Sequence, residues 1–410
     1  MDGKRVYQSL RLKNFLSYGP DGAQLELMPL NVLIGQNASG KSNLIQALRL
    51  VRAIPANLSA PLFEGGGVKE FIYKGQAGPS AEIEVDVEDT VNQDVLRHSI
   101  AFAANGQRLQ IQTERIASLR VAGRPNTPEY YYQNQLGKIS LQAFGQKFVT
   151  RQTPDGPKVF VIQGWQDAER ITTPSAELSI VAQRTDPDSY PALAYLHDLY
   201  ASIRIYGNID LESPNSLRAT TRPDLPDDFV EESGRNLSII LNDLEHRGVM
   251  DDVVKRLRVV NDDIEAITVK ISGGTVQTFI RERGLRDPIP AARLSDGTLR
   301  YLCLLAILTH PAPPPLICLE EPEIGMHPDV ISALAELLVE ASQRTQLIVT
   351  THSDRLVSAL SHVPEAIVVC ERSPNGTTLQ RLESDRLKLW LEKYNLGDLW
   401  LKGELGGTRW

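Results

Sequence analysis

The residues Gly35-Gln36-Asn37-Ala38-Ser39-Gly40-Lys41-Ser42 have the types and spacing of a loop that cradles phosphate, G-x-x-x-x-G-K-[ST]. Glycines at both ends permit tight turns and close backbone approach. Lys41 would reach the β- and γ-phosphates of a bound nucleotide, and Ser42 would hold Mg²⁺. The flanks suit the task. Leu30-Asn31-Val32-Leu33-Ile34 reads as a buried parallel strand, and downstream Leu44, Ile45, Leu48 and Val51 have the spacing of an amphipathic helix. Strand, glycine-rich turn and helix N-terminus together aim N–H groups and the positive end of a helix dipole at an anion. The candidate binding set is therefore Asn37, Ala38, Ser39, Gly40, Lys41, Ser42 and Asn43. A chance match in a chain of this length has odds on the order of 1 in 100 from average residue frequencies. These residues predict a nucleotide site.

The last third of the chain adds three candidates. Leu316-Ile317-Cys318-Leu319 is an apolar strand ending in Glu320 and Glu321. Carboxylates at the C-terminal edge of a parallel strand stand where a metal and an attacking water would be handled. Leu294-Ser295-Asp296-Gly297-Thr298 opens a helix, with Ser295 as its cap and Gly297 allowing a phosphate near the backbone. A third apolar strand, residues 346–350, is followed by Thr351-His352-Ser353, which places His352 to contact a γ-phosphate. Each admits a plainer reading when taken alone: a surface acidic pair, a simple helix cap, a structural histidine. Their order after the phosphate loop favours the chemical one.

These residues must be positioned by an α/β fold. At 410 residues the chain has room for two or three domains, or for one large domain with an inserted lobe. A net charge of −8 excludes a uniformly basic nucleic-acid-coating protein, although a local basic groove remains open. No apolar run approaches the ~20 residues that span a bilayer, and the N-terminus has no signal-peptide pattern. Cys303, Cys318 and Cys370 have no metal spacing and read as buried, reduced thiols of a cytoplasmic protein.

Residues 1–185 form an N-terminal lobe carrying the phosphate loop, with strands expected at 6–15, 25–27, 81–87 and 158–162 and a hairpin across Asn105-Gly106. A helical lobe is expected over 186–265, with helices at 190–204, 236–245 and 250–260 and a loop over 213–228. A C-terminal lobe, 266–410, begins in a hairpin around Gly273-Gly274 and carries the acidic pair and His352.

Taken together, these residues resemble the ABC-type ATPase heads of the RecF, SMC and OLD-like group. Leu12-Lys13-Asn14-Phe15-Leu16-Ser17 is similar to that group's first strand, and Gly35 to Ser42 is its Walker A motif. Leu294 to Thr298 corresponds to the ABC signature, Leu316 to Glu321 to Walker B, Glu323 to Pro328 to the D-loop and His352 to the switch histidine. Gln183 is the candidate Q-loop glutamine. The string Glu320-Glu321-Pro322-Glu323, then Gly325-Met326-His327-Pro328, and the closing residues 403–410 resemble stand-alone bacterial AAA-type ATPases related to OLD proteins.

The resemblance implies a P-loop NTPase with an antiparallel β subdomain and an inserted helical lobe, using ATP and Mg²⁺. It assigns catalysis to Glu321, His352 and Lys41, and the metal to Ser42, Gln183 and Glu320. Ser295 and Gly297 would bind the nucleotide held by a partner head. Two departures stand out: Glu320 replaces the usual Walker B aspartate, and the signature is Ser-Asp-Gly-Thr rather than Ser-Gly-Gly-Gln.

The leading expectation is an ATPase that dimerises, or assembles further, on ATP and acts as a switch in a DNA-associated process, repair or anti-phage defence. Some 58 residues follow His352, too few for a Toprim nuclease domain, so a nuclease or other effector is expected as a separate polypeptide. DNA contact would fall to Arg281, Arg283, Arg286 and Arg293, or to Lys255, Arg256 and Arg258, although solvated charged faces account for either cluster equally well. The alternatives are the ATPase subunit of a membrane transporter and a nucleotide sensor with little hydrolysis. About 270 residues separate Walker A from Walker B, much more than a transporter subunit keeps, and no membrane association is expected. No N-K-x-D element marks a GTPase.

Overall fold

The chain opens with β1 (Tyr7–Lys13) and β2 (Ala23–Glu26), an antiparallel pair, before β3 (Leu30–Ile34) runs through a tight turn into α1 (Lys41–Ala53). This computed structural model describes residues 3–75, 78–89, 94–119, 129–135, 138–153, 156–167, 177–207, 209, 211 and 217–407. Parts of the loop expected over 213–228 and of the closing run 403–410 lie outside them.

Helix α2 (Ser59–Glu64) and a 3-10 turn lead to β4 (Ser80–Asp89), β5 (Asp94–Asn105), β6 (Arg108–Ser118), β7 (Glu129–Gln135), β8 (Lys138–Thr153) and β9 (Gly156–Asp167). With β1 and β2 these form an eight-stranded sheet in the order β2-β1-β4-β5-β6-β7-β8-β9. In β4 the alternation expected from sequence buries Ala81, Ile83, Val85 and Val87. The β5–β6 hairpin turns at Asn105-Gly106, with Gly106 at φ 66°.

Next come α3 (Ile180–Gln183), α4 (Pro191–Ala201), β10 (Arg204–Tyr206), α5 (Leu237–His246) and α6 (Met250–Leu257). A short sheet of β11 (Ile264–Ser272), β12 (Thr275–Glu282) and β13 (Ile289–Pro290) precedes α7 (Asp296–Leu308). The remainder is β14 (Leu316–Glu320), α8 (Pro328–Ala341), β15 (Gln346–Thr350), α9 (Asp354–Ala359), β16 (Ile367–Ser373), β17 (Gly376–Arg381), α10 (Ser384–Leu391) and α11 (Leu396–Leu401).

The central sheet has the order β10-β14-β15-β3-β16-β17, parallel except for the edge strand β17. Its strands are near-continuous apolar runs because both faces are covered. Alternate side chains divide between two cores. Val32, Ile317, Val349 and Val369 face α5, α6, α7 and α8, whereas Leu33, Cys318, Ile348 and Cys370 face α1, α4 and the antiparallel sheet. Each fully buried Leu, Ile or Val here contributes about 1.5–3 kcal/mol relative to exposure.

One expectation is corrected. Periodicity predicted a single helix over 190–204, but α4 ends at Ala201 and Arg204–Tyr206 pairs parallel with β14. Ile203, Ile205 and Tyr206 are buried, so docking on the sheet edge overrides helical continuation. The three cysteines are buried and unpaired. Burial pushes the thiols of Cys303 and Cys370 up to about 12. Among the described residues no helix is long and apolar enough to cross a membrane.

Candidate nucleotide site

The phosphate loop is built by close approach. Gly35 has φ 146° and Gly40 φ 105°. A Cβ on Gly35 would lie 2.2 Å from the Cys370 carbonyl oxygen, and one on Gly40 2.5 Å from Thr377 Oγ1. No side chain other than hydrogen fits at either position. Gly40 also caps α1 without a side-chain bond, which leaves the positive end of the helix dipole facing the loop. Gln36, Asn37, Ala38 and Ser42 are exposed, and the Oγ of Ser39 is buried with no partner among the described residues. Lys41 is buried and folded back on the loop, its Nζ donating to the carbonyls of Gly35 (2.8 Å) and Gln36 (2.9 Å). Burial lowers the pKa of its ammonium, an effect opposed by Cys370 and Glu321.

A second set of residues braces this loop. Asn43 Nδ2 donates to Ser17 Oγ (2.8 Å), and Tyr18 donates to the Gly40 carbonyl (3.0 Å). Thr377 Oγ1 lies 2.7 Å from Ser17 Oγ and 3.0 Å from the Ser39 carbonyl. From the other side Trp400 Nε1 donates to the Gly407 carbonyl (2.9 Å), where a Cβ on Gly407 would stand 3.3 Å from Gly35 Cα. The C-terminal glycine run thus lies against the base of the loop. Sequence reading noted Ser17 and this run only as points of resemblance. The roles of Tyr18 and Thr377 in the clamp had no local signal.

The acidic pair emerges at the C-terminal edge of β14. Glu321 turns left-handed, φ 48°, a conformation that costs a non-glycine residue about 1–3 kcal/mol and persists where its surroundings enforce it. Its N–H donates to the Thr350 carbonyl (2.9 Å), which fixes the turn against β15. That brings Glu321 Oε1 within 3.6 Å of His352 Nε2. Glu320 points toward α1 and pairs with Arg49 Nη2 at 2.7 Å. Arg49 lies on α1 two turns beyond Ser42, hence on the same helical face. Its partnership with Glu320 was missed, although that spacing was the available clue. Arg49, Glu320, Glu321 and Arg300 line a cleft of about 580 Å³ together with Gly207 and Ile324.

Among the described residues the lining of that cleft includes neither Ser42 nor Gln183. Gln183 ends α3, and its Nε2 donates back to the carbonyls of Leu178 (2.8 Å) and Ser179 (3.3 Å). The signature residues form a separate cleft. Ser295 caps α7, its Oγ accepting from the Thr298 N–H (3.1 Å), as expected from sequence. Gly297 is required because a Cβ there would meet the Gly325 carbonyl at 2.7 Å. Residues 295–298 and 325–328 therefore line one surface. Of the basic clusters, Arg256 is drawn into pairs with Asp252 and Glu340, and Arg258 donates to the Ile264 carbonyl. Arg281, Arg286 and Arg293 are exposed.

The donors present fit a nucleotide with Mg²⁺. The glycine cradle admits no side chain at Gly35 or Gly40, and Ser39 Oγ is a buried polar atom within it that has no partner among the described residues. Among the described residues no cluster of three or more His, Cys, Asp or Glu makes a metal cage. A site sharing one hydroxyl and one carboxylate with phosphates is the usual arrangement for Mg²⁺.

Known proteins share this fold and parts of this sequence. Residues 30–153 and 179–358 match the family model described as "AAA domain, putative AbiEii toxin, Type IV TA system". Over 74 residues, 18% of the chain, the sequence is 39% identical to the Old nuclease of Escherichia phage P2, a match spanning 12% of that protein's length. The fold is similar to an SMC head bound to the C-winged helix domain of ScpA, with TM-score 0.54, 13% identity, and 94% of this chain and 100% of that one covered. It is similar also to an SMC head with an extended coiled coil, bound to the C-terminal domain of ScpA, derived from Pyrococcus furiosus, with TM-score 0.53, 14% identity and coverage of 95% and 99%. The fold is thus that of an ABC-type P-loop ATPase head, and since the matched residues take in the phosphate loop, the acidic pair and His352, the chain belongs to the AAA-domain family of putative AbiEii toxins.

Proposed function

We propose that this chain binds and hydrolyses ATP, pairs with a second copy across the nucleotide, and acts as a switch for a separate effector or nuclease in a DNA-associated process such as repair or anti-phage defence. The observation that carries the hydrolytic part is the 3.6 Å approach of Glu321 Oε1 to His352 Nε2 beside the phosphate loop. Glu321 would accept a proton from water attacking the γ-phosphorus in line, the bond to the β–γ bridging oxygen breaking as ADP leaves. Lys41 would turn from its loop carbonyls to the β- and γ-phosphates, and His352 would donate to a γ-phosphate oxygen. Mg²⁺, when bound, would offset charge on the phosphates, with Ser42 and Glu320 as its protein ligands and Gln183 as a further candidate.

The cleft at Ser295 and Gly297 supports pairing. It offers a capped helix N-terminus away from the chain's own phosphate loop, where a partner's γ-phosphate would complete the contact. A sensor with little hydrolysis remains the second reading, favoured by the Arg49 ion pair that occupies Glu320. Phosphate release with Mg-ATP decides between them. Wild-type turnover that Glu321→Gln lowers about 10²–10⁴-fold, with nucleotide binding retained, supports hydrolysis. Nucleotide binding without turnover in wild type supports the sensor.

A further inference from the structure

Glu323, the first residue of the segment likened to the D-loop, is an acid to which the mechanism above gives no task. It is 9% exposed, and its Oε2 has no partner among the described residues. Its Oε1 accepts from the Thr351 hydroxyl and from the His352 N–H (3.3 Å). Thr351 is fully buried, and its Oγ1 accepts in turn from the Ser353 N–H (2.9 Å), the residue that caps α9. His352 is therefore held twice by carboxylates. Glu323 fixes its backbone, and Glu321 meets its ring.

The same acid sits at the root of the segment that touches the signature helix. Its carbonyl accepts from the Met326 N–H (3.1 Å), Arg300 on α7 donates to the Ile324 carbonyl (3.0 Å), and Gly297 abuts Gly325. A buried carboxylate with half its acceptor capacity unused is costly to keep for stability alone. We propose that Glu323 is a positioning residue for hydrolysis, holding His352 against Glu321 and tying that histidine to the segment packed on the signature helix.

The proposal rests on the hydrolytic reading above. Steady-state turnover of wild type comes first, and its absence overturns both the reading and the proposal before any variant is made. With turnover present, Glu323→Ala is expected to lower kcat about 10- to 100-fold while KM for ATP stays within about twofold. Glu323→Gln keeps an acceptor oxygen for Thr351 and His352 and should stay within about threefold of wild type. Adding Glu323→Ala to His352→Ala should cost nothing further, because the acid acts through the histidine. A wild-type kcat in Glu323→Ala, or full multiplication of the two losses, overturns the proposal. Should Glu323→Ala not fold, Thr351→Val takes its place. It keeps side-chain volume but removes the hydroxyl, and a wild-type kcat there overturns the proposal equally.

Discussion

Two buried glutamates, Glu114 in the antiparallel sheet and Glu323 beside the nucleotide site, meet opposite surroundings. Glu114 is 1% exposed and fully engaged. Its Oε1 accepts from Ser179 Oγ and lies 3.1 Å from His98 Nε2, while its Oε2 accepts from the Ile180 N–H at 3.0 Å. His98 in turn reaches the Tyr200 hydroxyl at 3.3 Å. A closed network of this kind rigidifies a core and fixes one arrangement of β6, α3 and α4. Glu323 is nearly as buried but uses one oxygen, and its donors belong to the loop that carries His352. Satisfied burial marks an acid that holds the fold together. Half-satisfied burial next to a left-handed Glu321 is the observation behind the positioning role proposed for Glu323.

The comparison can be broken by variants of graded effect. The largest is Glu114→Ala. It orphans buried groups on β5 and at the start of α3 and should destabilise the chain by about 3–5 kcal/mol, read from denaturant unfolding, with kcat of the folded fraction unchanged. A smaller loss there would remove the distinction. Glu323→Ala should cost only about 1–2 kcal/mol in the same measurement, since a single oxygen is engaged, although its effect on turnover is the greater of the two.

Next in size is a pH effect. Burial raises the Glu323 carboxyl above its ordinary value of 4.5, with the Thr351 hydrogen bond opposing. Below that value both folded and unfolded chains hold the proton, and the acid carries no penalty. As pH rises through it the unfolded chain ionises first, so stability falls until the folded pKa is passed. Glu323→Gln should flatten that part of the decline, seen as a stability relative to wild type that improves as pH rises above 4.5. The smallest effect is expected at the partly exposed Arg49–Glu320 pair, where Arg49→Ala should change stability by less than about 1 kcal/mol.

Much of the site could be read from the sequence because it is local. The Gly35–Ser42 spacing, the apolar run before Glu320 and the Ser295 cap each lie within one turn and one element. What stayed hidden depends on partners far apart in the chain. Arg49 meets Glu320 across 271 residues, Thr377 meets Ser17 across 360, and Ile180 meets Glu114 across 66. Local periodicity carries no trace of such pairs. It also carried the helix that ends at Ala201 on to Arg204, where the β14 edge, supplied from more than 100 residues downstream, decides for strand.

The measurement that bears most directly on this account is the mass of Glu321→Gln by light scattering with and without Mg-ATP. The substitution keeps side-chain shape but removes the charge that, on the proposed mechanism, would polarise water, so bound ATP should persist. A doubled mass in Mg-ATP that Ser295→Arg abolishes is the expected result. An unchanged mass with ATP bound, alongside turnover in wild type, would contradict ATP-driven pairing through the signature face.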